Sequence, residues 1–247
     1  MPPDGASEGF FGEDAASVYD ERSTAMFDAA VVQPVVDVLA SFAGEGDALE
    51  FAIGTGRIAL PLAERGVRVA GIDSSEAMVA RLRSKPGGGR IDVAIGDFAA
   101  TRVKGEFSVV YLVFNTIFNL VTQEAQVACF ENAATHLQSG GRFVIETGVP
   151  DLQLLPLGRT IIPFRAEPDG VSFDVYDVAT QRFSSQHFVF AEGGVTSYPV
   201  EFRYAWPAEL DLMARIAGLG LQDRWAGWQR EPFTSLSRSH VSVYAKP

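Results

Sequence analysis

Residues 48–73 read ALEFAIGTGRIALPLAERGVRVAGID, and this stretch decides the fold. A short apolar run enters Gly54-Thr55-Gly56, a helical pattern follows, and a second apolar run ends on Asp73. That is one β-α-β unit with a nucleotide site built into it. Gly54 and Gly56 allow a tight turn and close approach of backbone to a ligand. A helix starting near Arg57 would aim free N–H groups at that ligand. Asp73, at the tip of the second strand, suits the two hydroxyls of a ribose. The unit predicts an adenosine-containing cofactor.

Two cofactors fit the unit alone. Gly54-x-Gly56-x-x-Ala59 with Asp73 downstream matches a dinucleotide fingerprint, which would make the chain an NAD-dependent oxidoreductase. The same residues suit S-adenosylmethionine, with its amino-acid end on the glycine loop. Three features favour the second. Glu50 places a carboxylate inside the first strand, within reach of the loop or of the methionine amine. Gly96-Asp97-Phe98 follows the third strand, where an acid can accept from an adenine amino group and a ring can cover the base. After the last helix the chain ends strand–loop–strand, which suits a sheet closed by an antiparallel strand.

Around this unit the pattern is regular. Helices are predicted over 14–24, 32–42, the segment after Gly56 up to Gly66, the segment after Ser74-Ser75, and from Thr122 to Leu137, the last ended by Gly140-Gly141. Strands are predicted over 48–53, 67–72, 91–95, 107–114 and 142–146. Strands alternating with helices give a doubly wound, Rossmann-like α/β sheet of seven strands. From 160 to 206 the pattern changes to three or four strands, an antiparallel β meander, with turns at Pro168-Asp169-Gly170 and Glu192-Gly193-Gly194. There Val200, Phe202, Tyr204 and Trp206 share one face, and Glu201 and Arg203 the other. The expected division is a disordered 1–12, a core of 13–156 with 207–247, and an insertion of 157–206 that covers the substrate pocket.

The chain has 247 residues, 47% of them apolar, and a net charge of −11. That acidity opposes a nucleic-acid partner. No apolar run is long enough for a bilayer. Residues 1–12 lack the basic and apolar parts of a signal peptide, so the cytoplasm is the expected location. The single cysteine, Cys129, leaves no intrachain disulfide and no cysteine-based metal site, and no metal is expected.

The residues resemble the class I (seven-β-strand) S-adenosylmethionine-dependent methyltransferases, and within them bacterial small-molecule enzymes. The resemblance is carried by segments 49–63, 71–80, 96–98, 113–120, 140–146 and 206–219. It implies transfer of a methyl group to nitrogen or oxygen of a small molecule, with a noncatalytic cofactor-binding relative as a rival reading. By position it places Glu50, Ala52, Gly54 and Gly56 along the methionine part, Asp73 at the ribose with Ser74 and Met78 beside it, and Asp97 and Phe98 at the adenine. Val113, Phe114 and Asn115 would face the sulfonium, and Tyr19 would be a lid contact. Ala52 stands where the pattern has its first glycine, which is tolerable at an ordinary φ.

Outside the cofactor residues, His187 is the candidate base, alternating with Phe183, Ser185 and Val189 on a meander strand. Asn115 and Asn119 lie after the fourth strand, at the ligand-binding end of such sheets. Tyr204, Trp206, Trp225 and Trp228 are expected around an apolar substrate pocket. His136 reads as a partner of a helix C-terminus, His240 as structural, and Asp211 with Arg215 as an exposed ion pair one turn apart. The meander is also expected to offer a surface for a homodimer.

Overall fold

A computed structural model describes residues 24–150 and 152–247. The predicted disordered start, most of the first predicted helix and Tyr19 lie outside the described residues. In chain order the regular elements are α1 (Ala29–Ala43), β1 (Ala48–Phe51), α2 (Ala59–Glu64), β2 (Val69–Asp73), α3 (Glu76–Ser84), β3 (Asp92–Ile95) and β4 (Phe107–Leu112). There follow α4 (Gln123–His136), β5 (Leu137–Gly148), β6 (Ile161–Glu167), β7 (Gly170–Asp177), β8 (Arg182–Ala191) and β9 (Gly194–Arg203), then α5 (Pro207–Ile216), β10 (Gly220–Trp225) and β11 (Ser239–Ala245).

Every residue of β1 and β4 is buried, so both are inner strands. They lie side by side in a seven-stranded sheet ordered β10-β11-β5-β4-β1-β2-β3. Strands β1 to β5 pair parallel, whereas β11 runs antiparallel between β5 and β10. Helices cover both faces. On one, Val35, Leu39, Leu62 and Leu82 from α1, α2 and α3 pack on Val109 and Val144. On the other, Phe130, Ala133, Leu210 and Met213 from α4 and α5 pack on Phe51 and Phe143. The chain leaves β1 toward β2 on one side and reaches β4 on the other, which opens a crevice at the carboxyl ends of β1 and β4.

Caps fall on the small polar residues that the sequence offers. The Ser75 hydroxyl accepts from Met78 N to open α3, and that of Thr122 from Ala125 N to open α4. Several boundaries differ from expectation, two of them for a visible reason. Gly140-Gly141 does not end α4, which stops at His136 when Leu137 turns extended; the pair lies inside β5, where Gly140 (φ 76°) donates to Lys246 O. Strand β4 ends at Leu112 rather than 114, because Phe114 and Asn115 both adopt left-handed conformations (φ 58° and 62°).

Strands β6, β7, β8 and β9 form a separate antiparallel sheet in sequence order. The turn between β7 and β8 contains no glycine or proline. Asp177 makes it instead, accepting from Ala179 N and the Thr180 hydroxyl. Arg203, on the face it was expected to share with Glu201, is buried and donates to Glu209 (2.7 Å) and Gln126. Asp211 likewise pairs with Arg224 and the Tyr244 hydroxyl, not with Arg215. Among the described residues, no helix is long and apolar enough to cross a membrane.

Candidate cofactor and acceptor site

The crevice is a cavity of about 660 Å³. Its walls come from the chain just after four successive parallel strands. Glu50, Ala52 and Gly54 are supplied around the end of β1, Asp73, Ser74 and Met78 from β2 onward, Asp97 and Phe98 after β3, and Val113, Phe114 and Asn115 after β4. These expected cofactor residues, distant in sequence, thus share one space. Gly56 does not line it. Its φ of 81° and the closeness of Leu82, whose Cδ1 would lie 2.3 Å from an added Cβ, explain a glycine there through packing.

Asp73 is the best-oriented acid. Its Oδ2 accepts from Gly54 N (2.7 Å) and its Oδ1 from Ser75 N (2.8 Å), so the glycine loop and the start of α3 fix the carboxylate. Burial raises its pKa, and the two N–H donors pull the other way. A rigid, buried acid with lone pairs left over that lines a cavity suits a ribose. Asp97 Oδ1 accepts from Ala99 N (2.8 Å), which fixes its carboxylate, and Asp97 and Phe98 both line the cavity. The helix after the loop is shorter than expected: it starts at Ala59 and has only six residues.

Ala52 does not meet the condition of an ordinary φ: it sits at 54°, in the left-handed region. There an alanine methyl crowds the backbone at a cost of roughly 1–2 kcal/mol. Ala52→Gly is therefore expected to raise stability by about 1 kcal/mol in urea unfolding, after allowing for glycine's greater chain entropy. A loss of stability would show that the methyl group's packing outweighs the strain.

Glu50 is 4% exposed, and its Oε2 accepts from the Tyr111 hydroxyl (2.9 Å). Burial raises its pKa from 4.5 to about 8, against the pull of Tyr111 and Arg57 and with a small push from Asp73. The folded state therefore holds a proton that the unfolded chain releases. The stability that Glu50 contributes is full below about 4.5 and is lost as the pH rises through about 8. Glu50→Gln should remove a slope of up to about 1.4 kcal/mol per pH unit across that window, read from unfolding midpoints at several pH values. An unchanged slope would assign it to another group.

Two features of the site escaped the sequence reading. Arg57 lines the cavity with its guanidinium carbon 3.5 Å from the Phe114 ring centroid. The signal was a cation directly after the glycine loop, read there only as a helix start. Phe183 and Phe202 reach the same cavity from β8 and β9, and join Phe118 and Asn119 of the 3-10 turn Thr116–Asn119. Phe118 meets Phe183 edge to face (6.0 Å), and Phe183 stacks on Phe202 (5.0 Å). The meander thus closes one side of the space. Asn115 accepts from Gly148 N through Oδ1 (2.6 Å), which ties the left-handed turn after β4 to β5.

Other expected residues lie elsewhere. His187 does not line the cavity; it is four residues along β8 from Phe183, about 13 Å at strand rise. Its Nδ1 lies 3.1 Å from the Ser172 hydroxyl, its ring stacks on Tyr198, and burial lowers its pKa. Tyr204, Trp206, Trp225 and Trp228 line no part of the cavity; Trp225, for instance, stacks on Phe42. His136 is buried and its pKa is lowered, chiefly by desolvation. Its Nδ1 meets Asn132 O and its Nε2 accepts from Val103 N, so it is a bracket rather than a charged helix partner. His240 is fully buried against Ser242, and burial lowers its pKa to about 4.

Comparison with known proteins agrees with this geometry. A family described as a methyltransferase domain matches residues 48–141. The CcbJ methyltransferase of Streptomyces caelestis is 36% identical, with 96% of this chain and 97% of that one covered and a TM-score of 0.82. The cypemycin N-terminal methyltransferase of a Streptomyces species is 29% identical over 92% of this chain and 97% of its own length. An amino pentose methyltransferase from Micromonospora echinaspora, solved with S-adenosylmethionine bound, shares the fold at 19% identity, a TM-score of 0.64 and coverage of 87% and 90%. The chain belongs to the class I S-adenosylmethionine-dependent methyltransferases and is an enzyme of that cofactor.

Proposed function

We propose that this enzyme methylates a nitrogen of a small-molecule amine that carries an apolar body. The observation that carries the reading is the aromatic cluster of Phe118, Phe183 and Phe202, which lines the same cavity as Phe114. The bound cofactor supplies a methyl group already activated on positive sulfur. As the N–C bond forms and the C–S bond breaks, positive charge passes to the acceptor nitrogen. Ring faces attract such a charge, by roughly 0.5–2 kcal/mol each when desolvated. The same rings exclude water and restrict the acceptor to an in-line approach. A neutral amine needs no base at this step, whereas a hydroxyl needs one. The name of the cypemycin relative, an N-terminal methyltransferase, supports nitrogen as the acceptor atom. The net charge of −11 supports a small molecule over nucleic acid.

The proposed cofactor contacts are Asp73 at the ribose, Asp97 and Phe98 at the adenine, and Glu50, Ala52 and Gly54 at the amino-acid end. His187, on this reading, stays outside the chemistry. The test pairs amines with alcohols or phenols of the same skeleton and follows radiolabelled methyl transfer. Transfer to the amines, with His187→Ala retaining its rate, is expected. Transfer to the hydroxyl partners alone, abolished by His187→Ala, would reverse the assignment.

A further inference from the structure

Phe183 and Phe202 reach the cavity from one face of the meander, and that face continues beyond it. Strands β7, β8 and β9 pair without a register shift, so their side chains form rungs across the sheet. The rung at the cavity is Tyr176, Phe183 and Phe202, with ring centroids 5.1 and 5.0 Å apart. The next rung on the same face is Asp174, Ser185 and Val200, about 7 Å further along the strands. The third is Ser172, His187 and Tyr198.

Asp174 is half-buried, and the Ser185 hydroxyl donates to its Oδ1. Among the described residues it has no ion-pair partner. Arg165 and Arg182, on the strands around it, pair instead with Asp169 and Glu201. His187 acts on Asp174, but Ser172 meets its Nδ1 and burial lowers its pKa, which leaves it neutral near pH 7. Burial raises the Asp174 pKa, and Ser185, His187 and Tyr176 offset that only in part. A carboxylate held in this way costs the fold stability unless a cation meets it.

We propose that Asp174 determines acceptor specificity by binding a second, cationic nitrogen, beyond the apolar body that lies among Phe118, Phe183 and Phe202. The acceptor class is then a diamine with an apolar middle, one nitrogen at the sulfonium and the other at Asp174. This rests on the amine reading above and deepens it. Ser185 is the positioning residue that orients the carboxylate. A hydrogen bond from an ammonium to a carboxylate is roughly twice as strong as a neutral one, so this rung selects an ammonium over a hydroxyl. The uncharged aromatic rung sets the spacing between the two nitrogens. The net charge of −11 draws such cations toward the protein.

The test uses three phenethylamines whose para position carries ethyl, hydroxyethyl or aminoethyl, and compares kcat/KM for methyl transfer, counted per nitrogen. In the wild type the aminoethyl compound is expected to exceed the ethyl one by about 10–100-fold, the worth of one charged contact, with hydroxyethyl between them. Asp174→Leu should bring all three together. Asp174→Asn, which keeps the shape and an acceptor for Ser185 but not the charge, should bring aminoethyl down to the level of hydroxyethyl. Titration with S-adenosylhomocysteine checks that each variant is folded, since Asp174 lies outside the proposed cofactor contacts. If Asp174→Leu loses that binding, Asp174→Asn decides alone. Equal rates on the three compounds in the wild type overturn the proposal and leave the amine reading standing. So does a preference for aminoethyl that survives in the folded variants. Transfer to no nitrogen of the three compounds would sink the amine reading and this proposal together.

Discussion

Arg203→Leu is expected to destabilise the protein by about 3–5 kcal/mol, because it strands a buried carboxylate. The Arg203 and Glu209 side chains are only 6% and 15% exposed, and their charged atoms lie 2.7 Å apart. Burial alone would raise the Glu209 pKa, but bonds from Arg203, Gln181 and Gln123 overcome that and lower it. The same guanidinium donates to Gln126, whose amide in turn donates to Ile117 O and Arg203 O. One buried network therefore joins β9, α4, α5 and the 3-10 turn that carries Phe118. The sharper form of the prediction concerns the pair. Arg203→Leu with Glu209→Leu should recover most of the loss, since a well-packed apolar pair leaves no charge unpaired. Urea unfolding of the two single variants and the double variant reads all three values. A double variant as unstable as the sum of the singles would mean that the network, not the stranded charge, sets the cost. Because Phe118 and Phe202 are held through this network, acceptor affinity should fall in the single variants before cofactor affinity does.

Asp73→Ala is expected to cost about 1–3 kcal/mol of cofactor affinity, or roughly 5–150-fold. Two losses combine. The charged acceptor for the ribose disappears, and Gly54 N and Ser75 N lose the group that holds the loop against α3. Asp73→Asn separates them: it keeps one acceptor for the loop but loses the charge, so its affinity should fall between the wild type and alanine. Titration with S-adenosylhomocysteine measures both variants. Full affinity in a folded Asp73→Ala would remove this residue from the site.

The sequence exposed the parts of the molecule whose causes are local. Residues 48–73 showed a β-α-β unit because its strand, turn, helix and acid are neighbours in the chain. Ser75 and Thr122 showed helix starts because capping acts over three residues. Local signals misled where they permit two outcomes. Gly140-Gly141 suits a helix end as well as an irregular strand, and only the pairing of β5 with β4 and β11 chooses between them. Strand periodicity gave Arg203 a face but not its burial, which depends on Glu209, six residues on, being brought to it by the fold. Asp211 had a partner at helical spacing, yet tertiary packing offers Arg224 and Tyr244 instead.

The candidate site divides along the same line. The convergence of the expected cofactor residues on one cavity was legible because each lies near the end of a predictable strand. The acceptor half of the site was not, because Phe183 and Phe202 reach the cavity only through the folding of a separate sheet against the turn at Thr116–Asn119. Nothing in period two distinguishes Phe183, which lines the cavity, from His187, which shares its face and lies beyond it.

The most direct test of the central claim is calorimetric titration of the protein with S-adenosylmethionine, S-adenosylhomocysteine and NAD in parallel. The geometry predicts micromolar binding of the first two and none of NAD. Binding of NAD alone would contradict the account and return the glycine loop and Asp73 to a dinucleotide.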